Sequence, residues 1–432
     1  MYKGQEMIIR NFKQLASDSD KKLALKIIER GLAAAMPKDS LDRIVRFSHL
    51  QIGRKRLSLG EYGRIHVVAI GKSADLMTKV VDSRTRLHGG IVVIPRSTHS
   101  MVSGKKFTVL QSSHPIPTAK SVIAARKIVG FLKSLDTTDL VIFLISGGAS
   151  SLVTLPDGIS LKDKRLVTDL LLKSGANIRE VNCVRKHLSQ VKGGRLVESL
   201  RCSAVSLVMS DVVGDDLSVI ASGITYCDRS TFSDAKKVLL KYDRKNLVPK
   251  PVWKRIVLGT RGAIPETPKK PRIENYVIST NKTCIHTMEK YAKKLGFTTK
   301  TVWPLEGNVK SAASKLLRHF PSPNSCIVFG GETTVAVEGK GKGGRNQELV
   351  LNLMKKLKDR KEKVIVVSVG TDGIDGNTCA AGAIADSAVQ PKSADAYLDQ
   401  NNSHCYFKKY GGVIFTGPTH TNLMDIGLIL RK

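Results

Sequence analysis

The chain has 432 residues, with 70 Lys and Arg against 37 Asp and Glu, a formal net charge of +33, and 41% hydrophobic residues. That length accommodates two domains of roughly 150–250 residues with packed cores, and no apolar run reaches the ~18 residues that span a bilayer. The seven cysteines are scattered and never paired as Cys-x-x-Cys, which speaks against a disulfide framework or a zinc site; the basic residues are dispersed without interleaved aromatics, which speaks for solvated surface and anionic ligands and against nucleic-acid or membrane binding.

At the start, Lys3, Arg10 and Lys13 with Ile8, Ile9 and Phe12 sketch a weak transit helix, but Glu6 and the acids from Asp18 onward oppose it. A cytoplasmic location is expected, with a mitochondrial one as the alternative. Short β-branched runs then alternate with amphipathic stretches. Strands are predicted over 65–70, 91–94, 107–111, 140–145 and 204–209, then over 276–279, 326–329, 334–338, 363–369 and 413–415. Helices are predicted over 120–135, 161–173, 178–191, 282–295, 309–319 and 347–357, with Asn177 as an N-cap. This alternation predicts an α/β chain of two domains with largely parallel sheets flanked by helices, the first of them Rossmann-like. Residues 246–272, dotted with Pro249, Pro251, Pro265, Pro268 and Pro271, are the expected linker between domains 1–245 and 273–432.

Ligands of open α/β sheets bind beyond the carboxyl ends of strands, and here those ends are rich in small and polar residues. Gly71-Lys72-Ser73 is not a Walker A motif, because His66 stands where its first glycine belongs. It leaves a lysine within reach of a phosphate, or else a surface lysine on a tight turn. Ser146-Gly147-Gly148-Ala149-Ser150-Ser151 offers amides and hydroxyls to a phosphate or carboxylate, or a turn that needs glycine for geometry alone. Asp211, Asp215, Asp372 and Asp375 are hard oxygen ligands for Mg²⁺ or else turn and cap acids. Glu332, after Gly330-Gly331, receives a ligand hydroxyl or closes a turn. Gly341-Lys342-Gly343-Gly344-Arg345-Asn346-Gln347-Glu348 reads as a loop with amides free for an anion, running into a helix whose positive end converges with the Arg345 guanidinium. There is no Gly-x-Ser-x-Gly elbow, His-Glu-x-x-His or protein-kinase signature, and Gly339, Gly341, Gly343 and Gly344 lack dinucleotide spacing. These residues by themselves indicate an α/β enzyme acting on phosphorylated or anionic small molecules, with Mg²⁺ as a possible partner.

Taken in order, Gly71-Lys72, His114-Pro115-Ile116-Pro117, Ser146-Gly147-Gly148, the 188–194 and 210–215 segments and Ala221-Ser222-Gly223 resemble the class II glycerate kinases. So do Gly330-Gly331-Glu332, the 341–348 and 371–376 segments, and Thr416-Gly417-Pro418-Thr419 leading to Asn422 and Asp425. The resemblance runs from about residue 12 to 430. It implies a Rossmann-like N-terminal domain, a MOFRL-type C-terminal domain and an active site in the cleft between them. The implied reaction is ATP-dependent phosphorylation of D-glycerate with Mg²⁺, leaning to the 2-phosphate, in a monomer or homodimer with small-molecule partners only. The family's invariant lysine falls on Lys72 and its active-site arginine on Arg345. The rest of the expected site comprises Ser146, Gly147, Gly148 and Ser150 for substrate or phosphate, Gly330, Gly331, Glu332, Asn346, Asp372 and Gly373 for nucleotide, and Asp211 for Mg²⁺. Ser73, Ile224 and His420 depart from the family's usual alanine, proline and glycine. The alternatives are an NAD(P)H-dependent hydroxypyruvate reductase, a label given to some members and opposed here by the missing dinucleotide fingerprint, and a non-catalytic basic nucleic-acid-binding protein.

Overall fold

The computed structural model describes residues 7–96, 98–102, 104–388 and 393–432, which fall into two compact units. One is Pro37–Ile278; the other joins the segment up to Met36 to Ser279–Lys432. The strands are β1 (His49–Ile52), β2 (Lys55–Ser58), β3 (Ile65–Ile70), β4 (Gly89–Pro95), β5 (Phe107–Ser112), β6 (Leu140–Ile145), β7 (Ser203–Met209) and β8 (Glu274–Ser279). They continue with β9 (Thr298–Asn308), β10 (Ser325–Thr334), β11 (Ile365–Gly370), β12 (Gly382–Asp386), β13 (Val413–Ile414) and β14 (Asp425–Arg431).

In the unit 37–278, six strands form a sheet in the order β5-β4-β3-β6-β7-β8, with β3 through β7 paired in parallel. Every residue of β3, β4 and β6 is buried, His66 included, as strands covered on both faces should be. The chain moves outward from β3 to β4 and β5, then returns to the other side of β3 for β6 and β7. This reversal between β3 and β6 is a topological switch point, where such sheets hold their ligands.

The expected linker is not one. Helix Lys250–Thr260 lies inside 246–272, and its Val252 and Ile256 pack with Val167, Leu171, Phe232 and Leu239 in a buried cluster. Its prolines sit at the helix entrance, where a missing N–H costs nothing, so a sequence cue for disruption marks a helix start.

The other unit has a six-stranded sheet in the order β13-β12-β11-β14-β10-β9. Only β9 and β10 pair in parallel; β14 inserts between β10 and β11 antiparallel to both, and β12 and β13 continue antiparallel. The expectation of largely parallel strands therefore holds for the first sheet and not for this one, because no helix bridges β11 to β12 or precedes β14 as a crossover. The strand expected over 334–338 does not form: β10 stops at Thr334 and residues 335–338 are not in a strand.

Helix Ser19–Ala35 belongs to this second sheet, although it lies more than two hundred residues from it in sequence. Asp18 caps it, accepting from the amides of Asp20 and Lys21 at 2.9 Å each. Its buried face of Leu25, Ile27, Ile28 and Leu32 meets helix Asn281–Lys294 and strands β11 and β14. Gly31 allows the close approach: a Cβ there would lie 2.5 Å from Met288 Sδ and 2.7 Å from Ile426 Cδ1. Gly31→Val is expected to destabilise this unit by about 2–3 kcal/mol, the scale of core overpacking, read as a lower denaturation midpoint.

Candidate active site

The carboxyl ends of β3 and β6 are tied to each other at the switch point. The Lys72 amide donates to Gly147 O at 2.9 Å, the Ser73 amide to Ser146 Oγ at 3.0 Å, and the Ser146 amide to Ile70 O at 3.0 Å. Gly71, at φ 136°, is forced by this contact, since a Cβ would stand 2.2 Å from Ser146 Oγ. Gly148 takes φ 83°, with its α-carbon against the His114 ring. The structure thus brings together Lys72, Ser146, Gly147 and Gly148 as one turn pair. The amides of Gly147 and Gly148 have no hydrogen-bond partner among the described residues, so they remain donors for an oxyanion. Ser150 is on the following short helix, Ala149–Leu152, where its hydroxyl bonds Ser222 Oγ at 2.8 Å and accepts from Arg185 Nη2 at 2.6 Å.

Asp211 follows β7, the neighbour of β6, and is partly exposed. Among the described residues no group of three or more His, Cys, Asp or Glu is arranged to hold a metal. Mg²⁺ bound between a substrate's phosphates and one or two carboxylates needs no such group.

Arg345, Asn346, Glu332, Gly330, Gly331, Asp372 and Gly373 gather in the other unit. Arg345 opens helix Arg345–Leu357 and forks onto Asp425 at the start of β14, with Nε to Oδ2 at 2.6 Å and Nη2 to Oδ1 at 3.1 Å. Its third arm, Nη1, reaches Glu332 Oε1 at 2.8 Å. Burial disfavours the charge, but Asp425, then Glu332, outweigh it and raise the Arg345 pKa.

The helix entrance differs from the expected anion site. The amides of Asn346 and Gln347 both donate to the buried Asp375 carboxylate, at 3.0 and 2.9 Å, so this chain's own acid caps the positive end. The preceding loop is closed as well. Gly339 N bonds Asn401 Oδ1, Gly341 N bonds Gln400 O, Lys342 N bonds Asn402 Oδ1 and Gly343 N bonds Asn377 Oδ1. Three asparagine side chains and the Gln400 carbonyl take amides that the glycine-rich sequence suggested were free. Asn346 is likewise engaged within the unit, donating to Asp375 and Asp425 and accepting from Ser368 Oγ at 2.6 Å. Gly330 and Gly331 are there for packing: a Cβ at 330 would lie 2.4 Å from Asn281 Oδ1 and at 331 2.4 Å from Leu305 O. The cavity beside them measures about 10 Å³, room for one water at most. Asp372 caps its own turn, accepting from Ile374 N at 3.1 Å, and Gly373 lets that turn meet Gly417 O. Of this group, Arg345 and Glu332 present side chains outward. His420 adopts φ 54°, a left-handed backbone conformation that glycine reaches without strain.

Sequence reasoning named Asp375 and Asp425 but missed their work as the cap and the counter-charge of the Arg345 helix. The signal was the helix start itself, whose amides always need an acceptor. It also passed over Arg185, whose hydrogen bond to Ser150 joins segments far apart in sequence.

Burial pushes the Asp425 carboxyl up to about 6, against the pull of Arg345. The proton is held more tightly in the folded than in the unfolded chain, so this group's contribution to stability is fullest below pH ~4 and lessens as pH rises through ~6. Protonation also releases the Arg345 fork. The kcat/KM profile is expected to fall as pH drops through about 6, and Asp425→Asn is expected to abolish that limb; a limb unchanged in the variant assigns it to another group.

Two family models match the chain, the domain of unknown function DUF4147 over residues 23–257 and the MOFRL family over residues 325–425. A glycerate 2-kinase of Pyrococcus horikoshii is 38% identical over 427 residues, covering 94% of this chain and 96% of its own length. A protein of Agrobacterium vitis carrying a provisional hydroxypyruvate reductase name is 37% identical over 393 residues, 85% of this chain and 87% of its own. The crystal structure of a Thermotoga maritima glycerate kinase superposes with a TM-score of 0.81 at 34% identity, covering 95% of this chain and 99% of its own. Fold, turn geometry and relatives together define an α/β enzyme of the kinase class. The chain belongs to the glycerate kinase family, in which a DUF4147 domain is joined to a MOFRL domain. No helix among the described residues is long and apolar enough to cross a membrane.

Proposed function

We propose that the protein transfers the γ-phosphoryl group of ATP to the 2-hydroxyl of D-glycerate, with Mg²⁺. The observation that carries this reading is the interlocked pair of turns at the β3/β6 switch point, where Lys72 stands beside the open Gly147 and Gly148 amides. Phosphoryl transfer asks the protein chiefly to position the reactants and to stabilise charge on the moving group. Lys72 and those amides supply positive charge and fixed donors to oxyanions. In the other unit Arg345, held rigid by Asp425, offers a cation of the kind that stabilises phosphate charge. Mg²⁺, held through Asp211, would neutralise charge on the nucleotide phosphates. The glycerate 2-kinase name of the Pyrococcus relative supports the choice of hydroxyl.

The reductase reading lacks a phosphate-gripping turn of the dinucleotide kind. Ten residues separate β10 from helix Arg345–Leu357, and Gly339 and Gly341 pack on the backbone of Gln400 and Asn402 instead of opening toward a ligand. A coupled assay separates the two readings: glycerate-dependent ADP release is expected, and NADH consumption with hydroxypyruvate in its place would overturn the proposal.

A further inference from the structure

Behind the Ser146–Ser151 turn lies a group of cations that the reading above does not use. Helix Ile178–His187 places Arg185 against Ser150, its Nη2 donating to Oγ at 2.6 Å. The same Ser150 hydroxyl bonds Ser222 Oγ at 2.8 Å, and Ser222 donates to Asn182 Oδ1 at 2.8 Å. Ala221 and Ser222 hold φ angles of 51° and 57°, a conformation that costs on the order of 1 kcal/mol per residue and persists only where surroundings impose it. Lys192, fully buried, lies beneath, with Nζ donating to the backbone oxygens of Ser150 at 2.8 Å and Val153 at 3.3 Å.

Arg185 and Lys192 make no ion pair among the described residues, whereas the adjoining Lys186 and Arg255 are matched by Asp228 and Asp157. Burial lowers the Arg185 guanidinium to about 10, and burial followed by repulsion from Arg185 and Lys164 holds Lys192 well below the usual lysine range. Arg185, behind a turn with open amides, lacks a counter-charge among the described residues and remains partly exposed with one arm used. A planar fork with donors to spare matches a carboxylate in shape and charge.

We propose that Arg185, fixed by Ser150 and backed by Lys192, binds the carboxylate of the small hydroxy-acid substrate. The proposal rests on the glycerate kinase reading for the identity of that acid. Arg185 is the binding residue; Lys192 is a positioning residue that anchors the backbone under Ser150.

The test uses the full chain. In thermal-shift measurements without nucleotide, D-glycerate is expected to raise the melting temperature of the wild type while glycerol, which lacks the carboxylate, does not, and Arg185→Gln is expected to lose the shift. In steady-state assays the same variant is expected to raise KM for D-glycerate ~10- to 100-fold, the scale of a lost charge-assisted hydrogen bond, with KM for ATP changed less than ~3-fold. A retained shift with unchanged KM for glycerate overturns the proposal. A rise in KM for ATP alone also overturns it, by assigning the cations to a nucleotide phosphate. Should Arg185→Gln fail to fold, Arg185→Lys, which keeps the charge and loses the fork, gives the same two readouts with the same meanings. A wild type that binds D-glycerate through Arg185 yet releases no ADP would sink the kinase reading and leave this subsite standing.

Discussion

Lys72→Ala is expected to lower kcat/KM for glycerate phosphorylation ~10³-fold, the scale seen when a charge-stabilising donor is removed from a transition state. The backbone of Lys72 is set by its amide's hydrogen bond to Gly147 O and by the Gly71 turn. Truncation should therefore leave the turn intact and change unfolding free energy by less than ~1 kcal/mol. Lys72→Arg keeps the charge but swaps a compact ammonium for a wide fork, so it should recover only part of the loss. Steady-state kinetics alongside a thermal melt check both halves, and near wild-type turnover in Lys72→Ala would remove the residue from the mechanism.

Arg345→Ala is expected to cost activity and stability together. Removing the guanidinium leaves Asp425, almost fully buried, and Glu332 without their shared cation. Breaking one side of a buried pair is worth roughly 3–5 kcal/mol; because the Arg345 side chain keeps 34% of its surface exposed, about 3 kcal/mol is the better figure. The double variant Arg345→Ala, Asp425→Asn removes the orphaned carboxylate and should regain much of that stability. It should not regain turnover if Arg345 faces the transferring phosphate. Recovery of both in the double variant would make Arg345 a structural residue only.

The parallel sheet was legible because its strands are continuous apolar runs ending in glycine-rich turns, and the Lys72 and Ser146 turns were legible as strand ends. Their interlock was not, since it depends on β6 returning to the side of β3. Helix Ser19–Ala35 was not among the predicted elements, and the expected bounds 1–245 put its residues with the first domain: Leu25, Ile28 and Leu32 form an apolar face, but nothing local names the sheet that covers it. Around Arg345 the sequence suggested a cation beside free amides. The cation is there, but Asp375 and a set of asparagines from other segments had already answered the amides. Local pattern reports which groups need partners; it does not report which distant residues supply them.

Phosphorus NMR of the product formed from D-glycerate, ATP and Mg²⁺ reads directly whether this chain phosphorylates D-glycerate. ADP and 2-phosphoglycerate are expected in equal amounts; ATP left intact by an enzyme that oxidises NADH with hydroxypyruvate would overturn the kinase reading.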